Sequence, residues 1–290
     1  MKVNSITITY LSKVNFASLN GSDSEADNIN SIKKITLENN NEIPYVSSQA
    51  IRRALRDQLE SFGYPISNVT PGEKDKSPAV TDCNPEKYID DDLFGFMNAK
   101  KETIKRTSPV RVESLVALNE YKGDLDFGTN YMGVDKGGNP NIYETEIHSG
   151  IYRGTILIEL DRVGKGSEAE GFKAELSNEE KAKRVNAFID AFQNLWSSGR
   201  QTRFLADISP KFFAAALMKA KNPVFLEAIN YPVNIDSLNT VINDYSDFME
   251  AYVFAGQKAV FDDIKGDYAT LKEGFETMKN WVREYYGVAK

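Results

Sequence analysis

Apolar and polar positions alternate over residues 3–14, with Ile6, Ile8 and Tyr10 on one side and Thr7 and Thr9 on the other. That β-branched, period-two pattern predicts a strand. Residues 15–30 read as a polar loop, residues 32–37 as a short strand, and the asparagines at 39–41 as a turn. Ser47 or Ser48 then caps a helix whose apolar face is Ile51, Ala54, Leu55, Leu59 and Phe62, ended by Gly63 and Pro65. Residues 65–92, rich in Pro, Asp, Lys and Ser, read as an insertion. The apolar stretch at 92–97 is expected to dock on the body. A second strand is predicted within 104–118 and a third at 150–163. Between them, residues 119–148 are glycine-rich and turn at 136–140. Ser177 and Glu180 form a capping box before a helix with Val185, Phe188, Ile189, Phe192, Leu195 and Trp196 on one side. Residues 202–218 are strand-like around Pro210. The rest reads as mainly helical, for example 246–258 and 269–286.

The core order is strand, helix, strand, strand, helix, strand. This predicts an α+β fold of the split βαβ type found in ferredoxin-like and RNA-recognition domains. A length of 290 residues suits one medium domain with large insertions. The fold hosts many functions, and the second and third strands lack an aromatic RNA-recognition signature.

The net charge is −7, but it is unevenly placed. Residues 225–275 hold nine acids and three bases; residues 98–111 hold five bases and one acid; residues 49–56 hold three arginines and no acid. Gln49, Arg52, Arg53 and Arg56 recur at i, i+3, i+4 and i+7, so they share the polar face of the predicted helix. Such runs are either solvated faces or a local track for phosphate. Candidate chemistry is sparse. Cys83 is the one cysteine and His148 the one histidine, the latter read as a structural residue at a strand start. No Walker loop, dinucleotide fingerprint or nucleophile elbow is present. Asp23, Glu25 and Asp27, and the run Asp90, Asp91 and Asp92, read as solvated loop acids rather than cation ligands. No cofactor or metal is expected. With no signal-peptide pattern and no membrane-length apolar run, a cytoplasmic location is expected.

Six ordered stretches carry a family resemblance: ITITY at 6–10 with Asn20 and Gly21 in the loop beyond; YVSSQAIRRALRD at 45–57; DLFGFM at 92–97; KRTSPVRV at 105–112; DFGTNY at 126–131; and EIHSGIYRG at 146–154. The set resembles the backbone subunit of type I CRISPR Cascade complexes, in the DevR-type, subtype I-B-like branch of the RAMP superfamily. It covers most of residues 1–218. The resemblance implies a hand-shaped protein. Its palm would be residues 1–64, 100–118 and 149–220, with a finger-like insertion at 65–99, a thumb hairpin at 119–148 and a helical C-terminal part at 221–290. It implies a non-enzymatic function, in which several copies coat a CRISPR guide RNA and present it for target-DNA pairing. Implied partners are further copies of the chain, a 5'-handle-binding subunit, a large subunit and a guide-processing endoribonuclease, with no membrane. The residues expected at the RNA are Asn20, Gly21, Ser48, Gln49, Arg52, Arg53, Arg56, Lys105, Arg106, Arg111, Phe127, Tyr131, Met132, Arg153, Arg200 and Arg203. Ser198 and Gly199 fit the place of a glycine-containing loop after the second core helix. The competing expectation is a type III-like subunit that cuts target RNA through Asp23 or Asp27. A transcriptional regulator is disfavoured, because no helix-turn-helix is apparent.

Overall fold

Strand β1 (Ser5–Ala17) is buried on both faces over most of its length, because large apolar and small hydroxyl side chains alternate along it. Ile6, Ile8 and Tyr10 enter one core and Leu11 the other. The computed structural model describes residues 2–22, 29–71, 79–99, 103–197 and 199–289. Beyond β1 come β2 (Ile29–Asn30), β3 (Lys34–Thr36), β4 (Glu42–Val46) and helix α1 (Ser48–Ser61). A small ribbon, β5 (Val69–Thr70) with β6 (Val80–Thr81), precedes α2 (Ile89–Phe94). Next are β7 (Phe96–Asn98), β8 (Ile104–Arg106), β9 (Val110–Val112) and β10 (Leu115–Ala117). A hairpin, β11 (Leu125–Asn130) and β12 (Asn141–Glu146), leads into β13 (His148–Glu159) and α3 (Asn178–Gln193). The chain ends with β14 (Phe212–Met218), α4 (Ile235–Asp244), β15 (Met249–Gly256), β16 (Ala269–Thr270) and α5 (Leu271–Tyr286).

Nine strands form one sheet in the order β16-β15-β14-β1-β13-β10-β4-β3, with β9 also on β13. β14, β1, β13 and β9/β10 are mutually antiparallel neighbours. The fold is therefore mixed α+β. β14 shows why the sheet is covered on both sides. Phe213, Ala215 and Leu217 pack with α1, α3 and α5, whereas Phe212, Ala214, Ala216 and Met218 pack with Phe225, Ile229, Val233 and Leu238. A run of apolar residues without alternation is what a doubly covered strand requires.

Several expectations are corrected. β1 continues through Ala17, into the stretch read as loop. The single strand read within 104–118 is three short ones. Only Phe212–Met218 of the stretch around Pro210 is a strand. Phe62 is exposed, whereas Ile51, Ala54, Leu55 and Leu59 are buried. Ser177 caps α3 by accepting from the Glu180 N–H, but Glu180 reaches Arg184 and does not close the box. The C-terminal part is not mainly helical: Met249–Gly256, within a stretch read as helix, pairs antiparallel with β14 along its length.

The largest correction concerns the acidic run. Asp90, Asp91 and Asp92 are buried, not solvated, because α2 packs Ile89, Leu93 and Phe94 into the core. Residues 65–99 therefore do not all stand apart from the body. Asp92 is fully buried between two guanidinium groups. Arg106 Nη2 donates to Oδ1 and Arg184 Nη1 to Oδ2 at 2.9 Å. The Gly164 N–H donates to both oxygens, at 3.1 and 3.0 Å. Arg106 also donates to the carbonyls of Arg162 and Lys165, and Arg184 to those of Pro85 and Glu86. Asp91 accepts from the Asn84 N–H at 2.9 Å, and burial pushes its carboxyl above the usual range.

Asp92→Ala leaves two buried cations without their shared anion. A loss of about 3–5 kcal/mol is expected, read as a fall in the urea midpoint at unchanged slope; a loss below about 1 kcal/mol would show that the pair is peripheral. His148 gives a second prediction. The Asn119 amide is oriented by the Ser149 carbonyl, so its Nδ2 donates to His148 Nε2 at 3.0 Å. Nδ1–H then donates to the Tyr152 hydroxyl at 2.6 Å. Burial lowers the His148 pKa below its usual 6.5, against weaker upward pulls from the Glu120 backbone and Asp124. The unfolded chain thus takes up a proton near pH 6.5 that the folded chain refuses. Stability from this residue is complete above that pH and is lost as pH falls through the folded pKa. Urea midpoints from pH 7.5 to 5.5 should fall more steeply for the parent than for His148→Gln; equal slopes would remove His148 from the account.

Candidate nucleic-acid interface

The end of β1 delivers a loop to the start of α1. Asn20 Oδ1 accepts the Ser47 N–H at 2.9 Å, its carbonyl accepts the Lys33 N–H at 2.8 Å, and Gly21 bridges to Ile32. Ser47 caps α1 by accepting from the Ala50 N–H at 3.3 Å, and Ser114 Oγ takes the Ser48 N–H at 3.2 Å. The helix start is thus partly satisfied from within. A small groove of about 140 Å³ brings Leu19, Asn20 and Gly21, Ala50 and Ala54 of α1, and Ser197 and Gly199 together. The loop after α3 therefore reaches the same place, with Ser198 outside the described residues. Arg200, at φ +53°, donates to Ser18 Oγ at 3.1 Å; burial and the nearby Arg203 lower its pKa.

The cations expected at RNA fall into two groups. Arg52 hydrogen-bonds the Ser48 carbonyl and hydroxyl, both at 3.3 Å, and has no ion pair among the described residues. Burial first, then Arg56, lowers its pKa. Arg53 is 67% exposed, and among the described residues its one ion pair is with Asp57, one turn on, at 2.8 Å. Gln49 is exposed and Ser48 partly so on the same turn. Lys105 is exposed on β8. These groups remain available to a ligand.

The others are committed. Arg56 pairs with buried Asp90 at 3.1 Å and lies 4.8 Å from the Phe94 ring. Arg106 is buried in the Asp92 network, so its expected place at RNA is corrected: its donors are used inside. Arg111 pairs with buried Glu159, although its own side chain is half exposed. Arg153 donates to the Ile229 carbonyl at 3.1 Å and to Glu227 at 3.4 Å. Arg203 pairs with Asp126 and donates to Thr145 Oγ1 at 3.3 Å. The basic residues flanking the strands therefore do not form one continuous track.

The hairpin rises from this neighbourhood. β11 and β12 pair from Leu125↔Glu146 to Asn130↔Asn141, and a turn of 3₁₀ helix at Val134–Lys136 is closed by Gly137 at φ +81°. Its base is fastened by β2, which runs parallel to β12, and by Glu146, which accepts from Lys34 Nζ and the Ile32 N–H, both at 2.9 Å. Among the described residues, no hydrogen bond or ion pair joins residues 127–140 to any part of the chain outside the hairpin itself. Phe127 is 61% exposed, Tyr131 57% and Met132 88%. Sequence reasoning did not single out Lys34 and Glu146; their signal is a 112-residue separation that only the fold closes. Asp23, Glu25 and Asp27 lie outside the described residues. Uncommitted cations beside an exposed apolar arm are equipped for binding a polyanion, and no group of acids, histidines or cysteines suited to a metal occurs among the described residues.

Residues 8–234 match the family described as CRISPR-associated negative auto-regulator DevR/Csa2. A protein of Myxococcus xanthus (strain DK1622), named CRISPR-associated protein Cas7/Cst2/DevR, is 30% identical over 227 residues, which span 69% of this chain and 68% of that protein. Among solved structures, a chain of a pre-nicking CRISPR RNA-guided surveillance complex aligns with a TM-score of 0.65 at 15% identity, covering 96% of this chain and 100% of that one. A chain of another CRISPR RNA-guided surveillance complex aligns with a TM-score of 0.57 at 17% identity, covering 96% and 99%. At those identities the structural likeness shows a shared fold; on the sequence match, the chain belongs to the DevR/Csa2 family.

Proposed function

We propose that the chain is a crRNA-binding backbone subunit of a Cascade-like surveillance complex, several copies of which coat one guide RNA and hold it for pairing with target DNA. The observation that carries this reading is the hairpin, an arm with Phe127, Tyr131 and Met132 exposed and its root held by Arg203 and Lys34, on a chain that leaves Arg52, Arg53 and Arg200 lightly held. An exposed apolar cluster needs a partner to cover it. Apolar wedges between base steps, with arginines on phosphates, are a known way to distort a nucleic acid. Family membership and the shared fold of surveillance-complex chains support the same reading.

On this reading the strand order β14-β1-β13-β9/β10, with α1 and α3 on one face, is an RNA-recognition-like palm. Residues 119–148 are the thumb and the 65–99 segment supplies the finger, with α2 its anchored root. The role is structural rather than catalytic. Partners are the guide RNA, further copies of the chain and the other subunits of a subtype I-B-like complex, in the cytoplasm. A type III-like cleavage activity at Asp23 or Asp27 is the outcome that would overturn the non-catalytic part.

The chain, purified from its host, should carry a uniform short RNA of repeat-spacer type. Arg52→Ala with Arg53→Ala should weaken binding to all RNA sequences alike and reduce the salt slope by about 0.7 per lost phosphate contact. An unchanged slope would place the RNA elsewhere. Removing residues 131–142 and bridging the gap with a Gly-Ser turn should leave a folded monomer that no longer assembles in order on RNA. Full-length assembly by the deletion would take the wedge away from the hairpin. Mg²⁺-dependent cutting of complementary RNA, lost in Asp23→Ala with Asp27→Ala, would make the subunit a nuclease.

A further inference from the structure

Besides β2 and Glu146, one side chain of the palm touches both strands at the root of the hairpin. Gly128 has no Cβ, and a Cβ there would lie 2.4 Å from the Tyr143 ring across the ladder. The ring therefore lies flat over β11. The Arg203 guanidinium sits 5.0 Å from the centre of that ring and 5.2 Å from that of Phe204, and Phe204 in turn rests on Phe16 at 5.3 Å. Hairpin and palm are thus joined through a cation held against two rings. The edges of the guanidinium are used as well: it pairs with Asp126 of β11 and donates to Thr145 Oγ1 of β12 at 3.3 Å. One group touches both hairpin strands from a loop of the palm.

We propose that Arg203 is a positioning residue, a latch that presets the hairpin for RNA, and not one of the phosphate contacts themselves. The proposal rests on the RNA-binding reading above. Its physical basis is that an ion pair, a hydrogen bond and two ring contacts hold the partly exposed guanidinium to both hairpin strands and to Phe204 at once. The residues beyond it, 127–140, have no hydrogen bond or ion pair to any described part of the chain outside the hairpin itself. An arm fixed only at its root samples many directions unless the root is rigid, and each copy must lose that freedom on assembly. The nearby Arg200 differs: among the described residues it donates to the Ser18 hydroxyl and has no ion pair, which leaves it for a phosphate.

The two roles predict opposite signs for one conservative change. Asp126→Asn keeps size and removes the charge that holds Arg203. If Arg203 is the latch, the change loosens the root. Cooperative assembly on an RNA long enough for several copies should then weaken about tenfold, the scale of one charged hydrogen bond. Binding of a single copy to a short RNA should keep its salt slope. If Arg203 is instead a phosphate contact restrained by Asp126, the same change frees it. Affinity would rise and the salt slope would steepen by about 0.7, and that result overturns the proposal. A second measurement needs no RNA. Backbone amides of β11 and β12 should exchange hydrogen faster in Asp126→Asn and in Arg203→Gln than in the parent, with α1 and α3 unchanged. Unchanged exchange in both variants also overturns the latch. Should the parent not assemble on RNA at all, the proposed function fails, and the exchange data alone decide the latch.

Discussion

One buried carboxylate ties four elements together. Asp92 of α2 is shared by Arg106 from β8, Arg184 from α3 and the Gly164 N–H from the turn after β13. Gly164 and Arg184 stand 72 and 92 residues from Asp92 along the chain, so the fold and not a hairpin brings them to it. Desolvating one carboxylate and two guanidinium groups is costly, so such a cluster adds little net stability compared with an apolar one. Its consequence is specificity. Any docking of α2 that took the carboxylate away from both cations would leave buried charges unpaired. Asp90 repeats the device at smaller scale, accepting from Arg56 and from the Ser67 N–H. The acidic run thus ties the 65–99 insertion to α1 and α3, and α1 is in turn the element that carries Arg52 and Arg53.

The nine-stranded sheet is over-determined and the hairpin is not. β1 is paired on both sides and packed on both faces. The hairpin, by contrast, is two strands with no apolar core of its own, and two strands alone are marginal in water. Its fastening is polar and confined to its root, where Glu146 accepts from Lys34 and Ile32 and where Arg203 and Thr145 meet. A body that cannot rearrange and an arm that can be covered suit a subunit that binds along a polymer. The core holds the register of the site while the arm meets whatever lies beside it.

What was legible in the sequence was local. Ile6, Ile8 and Tyr10 announce β1, and Ser47 with Ile51, Leu55 and Leu59 announces α1, because strand and helix periods are properties of short windows. The hairpin turn is marked by Gly137, which takes φ +81°. β15 was illegible for a physical reason: Phe248, Ala251, Tyr252 and Ala255 are spaced as on a helix. The free edge of β14 decides the matter by offering a full ladder of backbone partners. The buried aspartates were illegible for another. A charge run reads as solvent-facing unless its counter-ions are known, and Arg106 and Arg184 stand 14 and 92 residues away from Asp92. The site was legible as a list of cations, but not as a distinction between free and spent ones.

That distinction answers the difficulty posed by a chain with 42 acids and 35 Lys and Arg residues in the role of an RNA binder. The acids are not spread evenly against the bases. Asp90, Asp92, Glu159 and Asp126 each hold an arginine expected at RNA, so most of the flanking basic residues already have partners. Arg52, Arg53 and Arg200 remain, lightly held, where the β1 loop, α1 and the loop after α3 converge, and Lys105 is exposed on β8. So few cations give a single copy only a weak and salt-sensitive grip on a phosphate chain. A subunit built in this way does not bind RNA tightly alone; it binds well when each copy raises the local concentration of the next site. On the proposed function, the acidic balance is therefore a condition of assembly rather than an obstacle to it. It keeps single copies from coating any polyanion they meet and leaves tight binding to the array.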